Sequence, residues 1–379
     1  MKLGLYEFTL ERRHAVHALH TALTAGLAIL LALVLSSFLF LSAEANPLDV
    51  YRVVFSYAYT DPLGLPATIN RATYILFCAF AFLVPLRGGL WNVGLPGQVY
   101  AGALAAFAVP FAVRAHELST LPAAPGVVIF LMVVAAAVAG AALASVAGLL
   151  RAKLQVNEIL VTMMLNWIFF WLVAHFIKEG GPFMSATAEG EGFDLPASLR
   201  APMAFGAPFP AVLALAGALS LDFLFARTTL GYRVRAFGQN PAAAAYAGIS
   251  PVTQSVLVFL LGGAFAGVAG YHYFGAVPEL HRIPGNYGYY GDLAFYGIIC
   301  ALIARGSSLG AVPVAILFAG LSLGGRFAQG QFQLPFGVDY AMLGLLMMTF
   351  VGSQFLYYFR IAWRRTAVPE VPDVSTERS

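Results

Sequence analysis

Charged side chains are scarce in this sequence: they make up 10% of its 379 residues, whereas 60% are hydrophobic. A soluble domain carries about 25% charged residues, so this chain cannot cover a globule of its size with polar surface. The mean hydropathy is +0.79, and apolar runs of about 20 residues, the length that crosses a bilayer core, recur along the chain. The alternating segments of about 10 residues that a transmembrane barrel requires are not seen. The sequence therefore predicts an all-α polytopic integral membrane protein.

Cysteines and catalytic motifs are also scarce. Cys78 and Cys300 both lie in apolar runs, without the spacing of a disulfide framework or a metal site. No HExxH motif and no intramembrane pair of Asp residues occur, so an intramembrane enzyme has little support in the sequence. Ionisable residues such as Glu158, Asp292 and Arg305 sit at the ends of spans, whereas an ion-driven carrier usually holds them deep in the bilayer. These absences disfavour both an enzyme and a secondary transporter.

Ten transmembrane helices are predicted. They cover 19–42, 71–87, 90–113, 125–150, 157–178, 207–226, 251–275, 290–304, 308–324 and 338–359. The first is longer than the apolar core of a secretory signal, about 7–15 residues, so we expect it to be retained. The chain then divides into an N-terminal segment (1–18), a transmembrane domain (19–359) and a tail (360–379) that is expected to be disordered. After the first span, two sets of four spans flank a single one, which suggests a two-repeat plan.

Basic residues predict the orientation. With the N-terminus in the cytoplasm, fourteen of the 21 Lys and Arg residues fall on the inner side and seven on the outer side. The outer seven are Arg52, Arg71, Arg114, Lys178, Arg200, Arg282 and Arg326. Both termini are thus predicted to be cytoplasmic, and residues 227–250 form the largest internal cytoplasmic loop.

Neutral polar residues mark the entry to the third span. The stretch GGLWNVGLPGQ (88–98) holds four glycines, each of which weakens a helix by about 1 kcal/mol, and freed backbone groups in lipid must meet protein or water. Two interpretations stay open. Trp91, Asn92 and Gln98 either contact a neutral polar ligand beside a broken helix, or the stretch is a site of tight helix packing. Asn166 lies about 12 Å into the fifth span. Two interpretations stay open for it as well: it either lines a substrate path or forms a hydrogen bond between helices.

Small residues recur in the seventh span at the spacing of close helix contacts. Gly263, Gly267 and Gly270 follow this spacing, and small residues let membrane helices approach closely. We interpret them as packing residues rather than ligand contacts.

The largest cytoplasmic loop carries helix signals of its own. Asn240-Pro241 is typical of a helix start, with asparagine as the N-cap and proline at the first helical position, and Gly248 is a typical stop. A helix of about two turns is marginal alone in water, so it must dock on something. Exposed alanines and Tyr246, with two arginines nearby, suit a groove on a partner protein. A loop packed against its own bundle is the alternative.

Four segments between positions 70 and 350 resemble, in order, the signatures of one family. They are NVGLPGQ (92–98), VNEILVTMMLNWI (156–168), TTLGYRVRAFGQNPAAAAYAGI (228–249) and YGIICALIARGSSLGAVPVAILFAGLSLGG (296–325). They are similar to permease subunits of ATP-binding-cassette importers for simple sugars and nucleosides, which are related to the ribose and branched-chain amino acid permeases. The length resembles that of the larger permease of nucleoside importers. Pro96 departs from the pattern, because many relatives have Glu there, and this leaves open how far ligand or gating details transfer.

The resemblance implies a substrate path between two permease subunits and a short cytoplasmic helix that inserts into a cleft of an ATPase. The coupling positions carried over by motif are Arg233, Arg235, Asn240, Pro241, Ala244, Tyr246, Ala247 and Gly248. The path-lining candidates are Trp91, Asn92, Gln98 and Asn166.

The same resemblance implies partners. No Walker A motif occurs in this chain, so we expect no cofactor here, and ATP and Mg²⁺ in a separate ATP-binding subunit. A second, non-identical permease, an extracytoplasmic substrate-binding protein and membrane lipid complete the expected partners, and no nucleic acid polymer is among them.

We therefore expect a multi-pass protein of a bacterial inner membrane that imports a nucleoside or a simple sugar. The alternative is an ion-gradient-driven carrier or channel for a small neutral polar solute. A third possibility is an assembly subunit without influence on substrate choice.

Overall fold

The computed structural model describes residues 2–3, 6–12, 18–114, 124–178, 180–186, 190–204, 207–278 and 280–365. The helices within them are α1 (Ala18–Ser42), α2 (Pro47–Tyr59), α3 (Gly64–Arg87), α4 (Leu95–Ala112), α5 (Pro125–Leu154), α6 (Glu158–Ile177), α7 (Pro210–Arg227), α8 (Thr229–Gln239), α9 (Pro241–Tyr246), α10 (Pro251–Tyr271), α11 (Tyr287–Ile303), α12 (Ser308–Gln331) and α13 (Val338–Tyr358). A π-helical turn, His272–Ala276, continues α10. The strands are β1 (Lys2–Leu3), β2 (Tyr6–Arg12), β3 (Met203–Ala204), β4 (Ala207–Pro208) and β5 (Phe359–Arg365).

The predicted all-α polytopic class is confirmed, and each predicted span coincides with a helix. In the described part of the chain, seven helices are long and apolar enough to cross a bilayer: α3, α4, α5, α6, α7, α10 with its π-helical turn, and α12. An eighth results if α1 and α2, which a short break separates, form one broken span. Because α11 has only 17 residues and the described apolar segment of α13, Val338–Ser353, is shorter than the seven spans, the count of ten stays a prediction. So does the two-repeat plan.

The chain forms two compact units, and the smaller one contains both chain ends: Met1–Pro47 and Tyr340–Ser379. Within it, β2 pairs antiparallel with β5, and the register sets Glu7 opposite Arg364. The prediction of a disordered tail over 360–379 is therefore wrong for 360–365, which lie in a strand. Likewise, part of the N-terminal segment 1–18 is a strand. Both stretches alternate apolar and polar residues, the period of a strand. The tail beyond Arg365 lies outside the described residues.

The larger unit, Leu48–Asp339, is organised around α10, which packs against α3, α4 and α5. A Cβ atom on Gly263 would collide with the main chain of Gly140 in α5, and one on Gly267 with the carbonyl oxygen of Ala136. A Cβ on Gly270 would meet the main chain of α4 in the same way. These contacts confirm the interpretation of the three glycines as packing residues, since only a residue without a side chain lets the backbones approach this closely.

This packing predicts a loss of stability when a methyl group is added at the contact. Gly267→Ala should lower the free energy of unfolding by about 1–3 kcal/mol, because the α5 backbone must move to admit the Cβ atom. Gly344→Ala is the matched control on α13, where a Cβ would meet open space; alanine should be neutral or mildly stabilising there. Thermal unfolding in detergent micelles measures the difference, and equal melting temperatures for the two variants would contradict the packing.

Candidate coupling surface and substrate path

The loop 227–250, here called the coupling segment, contains two helices where the sequence predicted one. Thr228 caps the additional helix, α8, by accepting a hydrogen bond from the Gly231 N–H at 3.1 Å. Val234 and Phe237 of α8 are buried. A threonine N-cap followed by apolar residues three positions apart is the signal that sequence reasoning missed.

The short helix α9 begins and ends as predicted. The Asn240 side chain accepts a hydrogen bond from the Ala243 N–H at 3.0 Å, and Pro241 occupies the first helical position. Gly248 has a left-handed backbone, with φ of 81°.

Two main-chain hydrogen bonds close the C-terminal end of α9. The Gly248 N–H donates to the Ala245 carbonyl at 3.0 Å, and the Ile249 N–H donates to the Ala244 carbonyl at 2.9 Å. This is the Schellman arrangement, which satisfies the last carbonyl groups of a helix. A six-residue helix is thereby fixed at both ends.

Most of the predicted coupling positions are exposed on the surface of the coupling segment. Tyr246 is 98% exposed, whereas Ala244 is 4% exposed. Arg235 is half-buried, and the remaining positions, Arg233, Asn240, Pro241, Ala247 and Gly248, are exposed. Ala244 therefore packs α9 on the bundle and does not present a surface, while Tyr246 projects outward.

The coupling segment rests directly on the turn that follows α3. A Cβ atom on Gly238 of α8 would collide with the Arg87 carbonyl, and Gly89, with φ of 72°, lies against Gly238. The Arg87 guanidinium donates from Nε to the Gly306 carbonyl at 2.9 Å, which ties this turn to the α11–α12 connection. A displacement of α8 would therefore reach the start of the glycine-rich stretch.

The entry to α4 is broken inside the membrane domain. The helix begins at Leu95, five residues after the predicted start of the span, and residues 90–94 are not helical. Asn92 and Gln98 are buried and face each other, exchanging two amide hydrogen bonds of 2.9 and 2.7 Å. The Asn92 amide also donates to the Ala81 carbonyl at 3.1 Å. These two candidates therefore lie in the core, where they hold the non-helical stretch in place.

Asn166 completes the arrangement from α6. Its Oδ1 accepts the Gly97 N–H at 2.8 Å, and its Nδ2 donates to the Val93 carbonyl at 3.1 Å. Asn166 thus caps the start of α4 from a neighbouring helix, because these backbone groups have no partner within α4. Its side chain is half-buried, and Trp91 is 42% exposed with its ring edge-to-face on Phe82 at 5.5 Å.

The described residues thus form a bundle of membrane-length apolar helices with an exposed, capped helix and a break before α4. The family model described as branched-chain amino acid transport system / permease component matches residues 65–351. The chain belongs to this family. It is a permease subunit of an ATP-binding-cassette transporter and not an enzyme, and ATP hydrolysis belongs to a separate subunit.

Three curated relatives match along most of their length. The glucose ABC transporter permease protein TsgB13 of Haloferax volcanii is 29% identical over 94% of this chain and 93% of the relative. The nucleoside ABC transporter permease protein NupB of Lactococcus lactis is 28% identical over 79% and 82% of the two chains. The guanosine ABC transporter permease protein NupP of Bacillus subtilis is 26% identical over 88% and 93%.

The capping role of Asn166 predicts a local effect of its removal. Asn166→Ala should leave the Gly97 N–H and the Val93 carbonyl, whose bonds to Asn166 are partly buried, unpaired, at a cost of up to about 1–3 kcal/mol for each group. Hydrogen–deuterium exchange of a peptide covering 93–98 should be faster in this variant. Met164→Ala, which truncates an exposed side chain on the same helix, is the control and should leave the exchange unchanged. Equal exchange in both variants would show that the cap does not hold the start of α4.

Proposed function

We propose that the chain is the permease subunit of an ATP-driven importer that moves a nucleoside or a simple sugar across a bacterial inner membrane. The named substrates of the relatives, which are glucose, nucleosides and guanosine, support this substrate class. The observation that carries the proposal is α9, a helix capped at both ends whose Tyr246 is almost fully exposed. An apolar ring held in water on a fixed helix suits a cleft on a partner.

The coupling segment is proposed to dock into the ATPase, which would hold the ATP and the Mg²⁺. Tyr246 would fill the cleft, and Arg233 and Arg235 would contact its rim. Motion of the ATPase would then push α8 against the turn at Gly88–Gly89, and through this turn the non-helical stretch before α4. The direct main-chain contact between Gly238 and this turn supports such transmission.

The substrate path is proposed to run beside the broken span, against a second, non-identical permease. Trp91 and Asn166, the two accessible candidates, would lie on its wall, with Asn92 and Gln98 supporting them from behind. The exposed side of α6 carries Trp167 and Trp171, which would face the second permease. An extracytoplasmic binding protein would deliver the substrate at the opposite end from the coupling segment.

The proposed orientation has both chain ends and the coupling segment in the cytoplasm. The antiparallel pairing of β2 with β5 supports a common side for the two ends, since paired strands are about 5 Å apart. The excess of Lys and Arg on the predicted inner side supports the cytoplasm as that side.

Truncation of Tyr246 tests the docking. In the complete transporter, Tyr246→Ala should weaken association with the ATPase about 30-fold, because a buried aromatic anchor contributes about 2 kcal/mol to an interface. Titration of the ATPase onto the permease pair in nanodiscs measures the Kd, and substrate-stimulated ATP hydrolysis should fall with it.

Phe336→Ala is the matched control, because Phe336 is 90% exposed but lies in the α12–α13 connection, away from the coupling segment. Its ATPase affinity should equal that of the wild type. A Tyr246→Ala variant that folds, binds the ATPase normally and retains stimulated hydrolysis would reject docking through α9.

A further inference from the structure

A cavity of about 460 Å³ opens in the larger unit far from the coupling segment. Its walls come from α2, α3, the π-helical turn after α10, α11 and α12. The polar and aromatic side chains among its lining are Tyr57, Asn70, Arg71, Tyr273 and Tyr290. Arg71 precedes Arg87 by about 24 Å along α3, so the cavity lies toward the end of the span that faces away from the coupling turn.

Arg71 is a buried cation within a membrane helix. Sequence reasoning assigned it to the outer loops, but the structure places it inside α3 with 7% of its surface exposed. Its Nη1 donates to the Ser322 hydroxyl at 2.9 Å. Its Nε is buried without a partner, and no carboxylate among the described residues forms an ion pair with it. Such a residue in a membrane span is costly and marks a functional site.

Asn70 provides an unmatched acceptor beside this unmatched donor. The residue is 4% exposed, and its Oδ1 is buried without a hydrogen-bond partner. Its main-chain carbonyl, in contrast, is paired with Nε2 of His272 at 2.9 Å. Buried polar atoms without a partner are rare in native structures, and here a donor and an acceptor occur on adjacent residues that line one cavity.

Tyrosine side chains form another part of the cavity wall. Tyr273 lies in the π-helical turn, a feature that is frequent at functional sites. The Tyr290 ring lies 4.8 Å from that of Tyr273, and Tyr57 is stacked on Phe327 with a centroid distance of 3.8 Å. The cavity therefore combines rigid ring surfaces with a few convergent polar groups, which is typical of small-molecule sites, and its volume lies in their range of about 300–1,000 Å³.

We propose that this cavity binds the sugar ring of the transported solute, a ring that carries neighbouring hydroxyl groups. A hydroxyl group both donates and accepts, so a pair of them matches the Asn70 Oδ1 and the Arg71 N–H groups together. The tyrosine rings would cover the C–H face of the sugar. The phosphodiester of a lipid offers acceptors only and would leave Asn70 Oδ1 unmatched. This inference rests on the proposed function, since it takes the solute to be a sugar or a nucleoside.

Direct binding tests the cavity apart from transport. The complete transporter in lipid nanodiscs, without nucleotide or binding protein, is titrated with radiolabelled glucose and with radiolabelled guanosine. The wild type should bind one of the two probes. Asn70→Leu should weaken that Kd about tenfold, the size expected for one lost hydrogen bond. Its melting temperature should be unchanged or higher, because the variant removes a buried, unmatched acceptor. A merely structural role for Asn70 would lower the melting temperature.

Two further variants sharpen the result. Tyr290→Phe should weaken binding, whereas Tyr100→Phe should not, because Tyr100 contacts Tyr287 and does not line the cavity. A wild type that binds neither probe, or an Asn70→Leu variant that binds as the wild type does, overturns the site. So does probe binding that disappears when phosphatidylcholine is added, because its headgroup has no O–H or N–H donor and the cavity would then hold a lipid phosphate.

ATP-driven uptake of the same probes, measured in parallel, separates the two proposals. Uptake by the wild type together with unaltered binding by Asn70→Leu would overturn the cavity site and leave the importer standing. Binding that Asn70→Leu weakens, without uptake by any variant, would support the site and overturn the importer.

Discussion

Hydrogen bonding of the backbone between α3 and α4 is the constraint on which the rest of the structure depends. Inside a bilayer, a non-helical stretch persists only where protein or water satisfies its N–H and C=O groups. Two amide side chains do this here, Asn92 through the Gly94 N–H and Asn166 through the Gly97 N–H and the Val93 carbonyl, and a third, Gln98, holds Asn92. Asn92 and Gln98 pair with each other in the core, and Asn166 reaches from α6 to cap the start of α4. Without these bonds, main-chain groups of Val93, Gly94 and Gly97 would lose their side-chain partners.

The broken span also places the functional elements. Because the turn at Gly88–Gly89 touches α8, the short non-helical stretch after this turn connects the contact with the coupling segment to the start of α4. The glycine contacts of α10 with α4 and α5 keep the other side of α4 in a close-packed core. A displacement at the turn would therefore act on the non-helical stretch between α3 and α4.

Local signals were readable from the sequence, and contacts across the bundle were not. The spans and the ends of α9 follow from apolar runs and from Asn240, Pro241 and Gly248, each of which acts on its own few residues. The β2–β5 pairing joins stretches of seven residues at opposite ends of the chain, too short to recognise without the partner strand. The role of Asn92 could not be decided from its position, because it depends on Gln98 lying opposite it in space. Arg71 was assigned to the outer loops for the same reason: its burial depends on α12 and on the π-helical turn, not on its neighbours in the chain.

The central claim is that force passes from the coupling segment to α4 through the contact of Gly238 with the turn after α3. The most direct measurement is the number of substrate molecules imported per ATP hydrolysed, in proteoliposomes that contain the complete transporter with Gly238→Ala. A Cβ atom at this position would collide with the Arg87 carbonyl, so α8 must shift away from the turn. We expect the ATPase to remain bound and active while import per ATP falls several-fold. An unchanged ratio, with the variant folded and assembled, would contradict transmission through this contact.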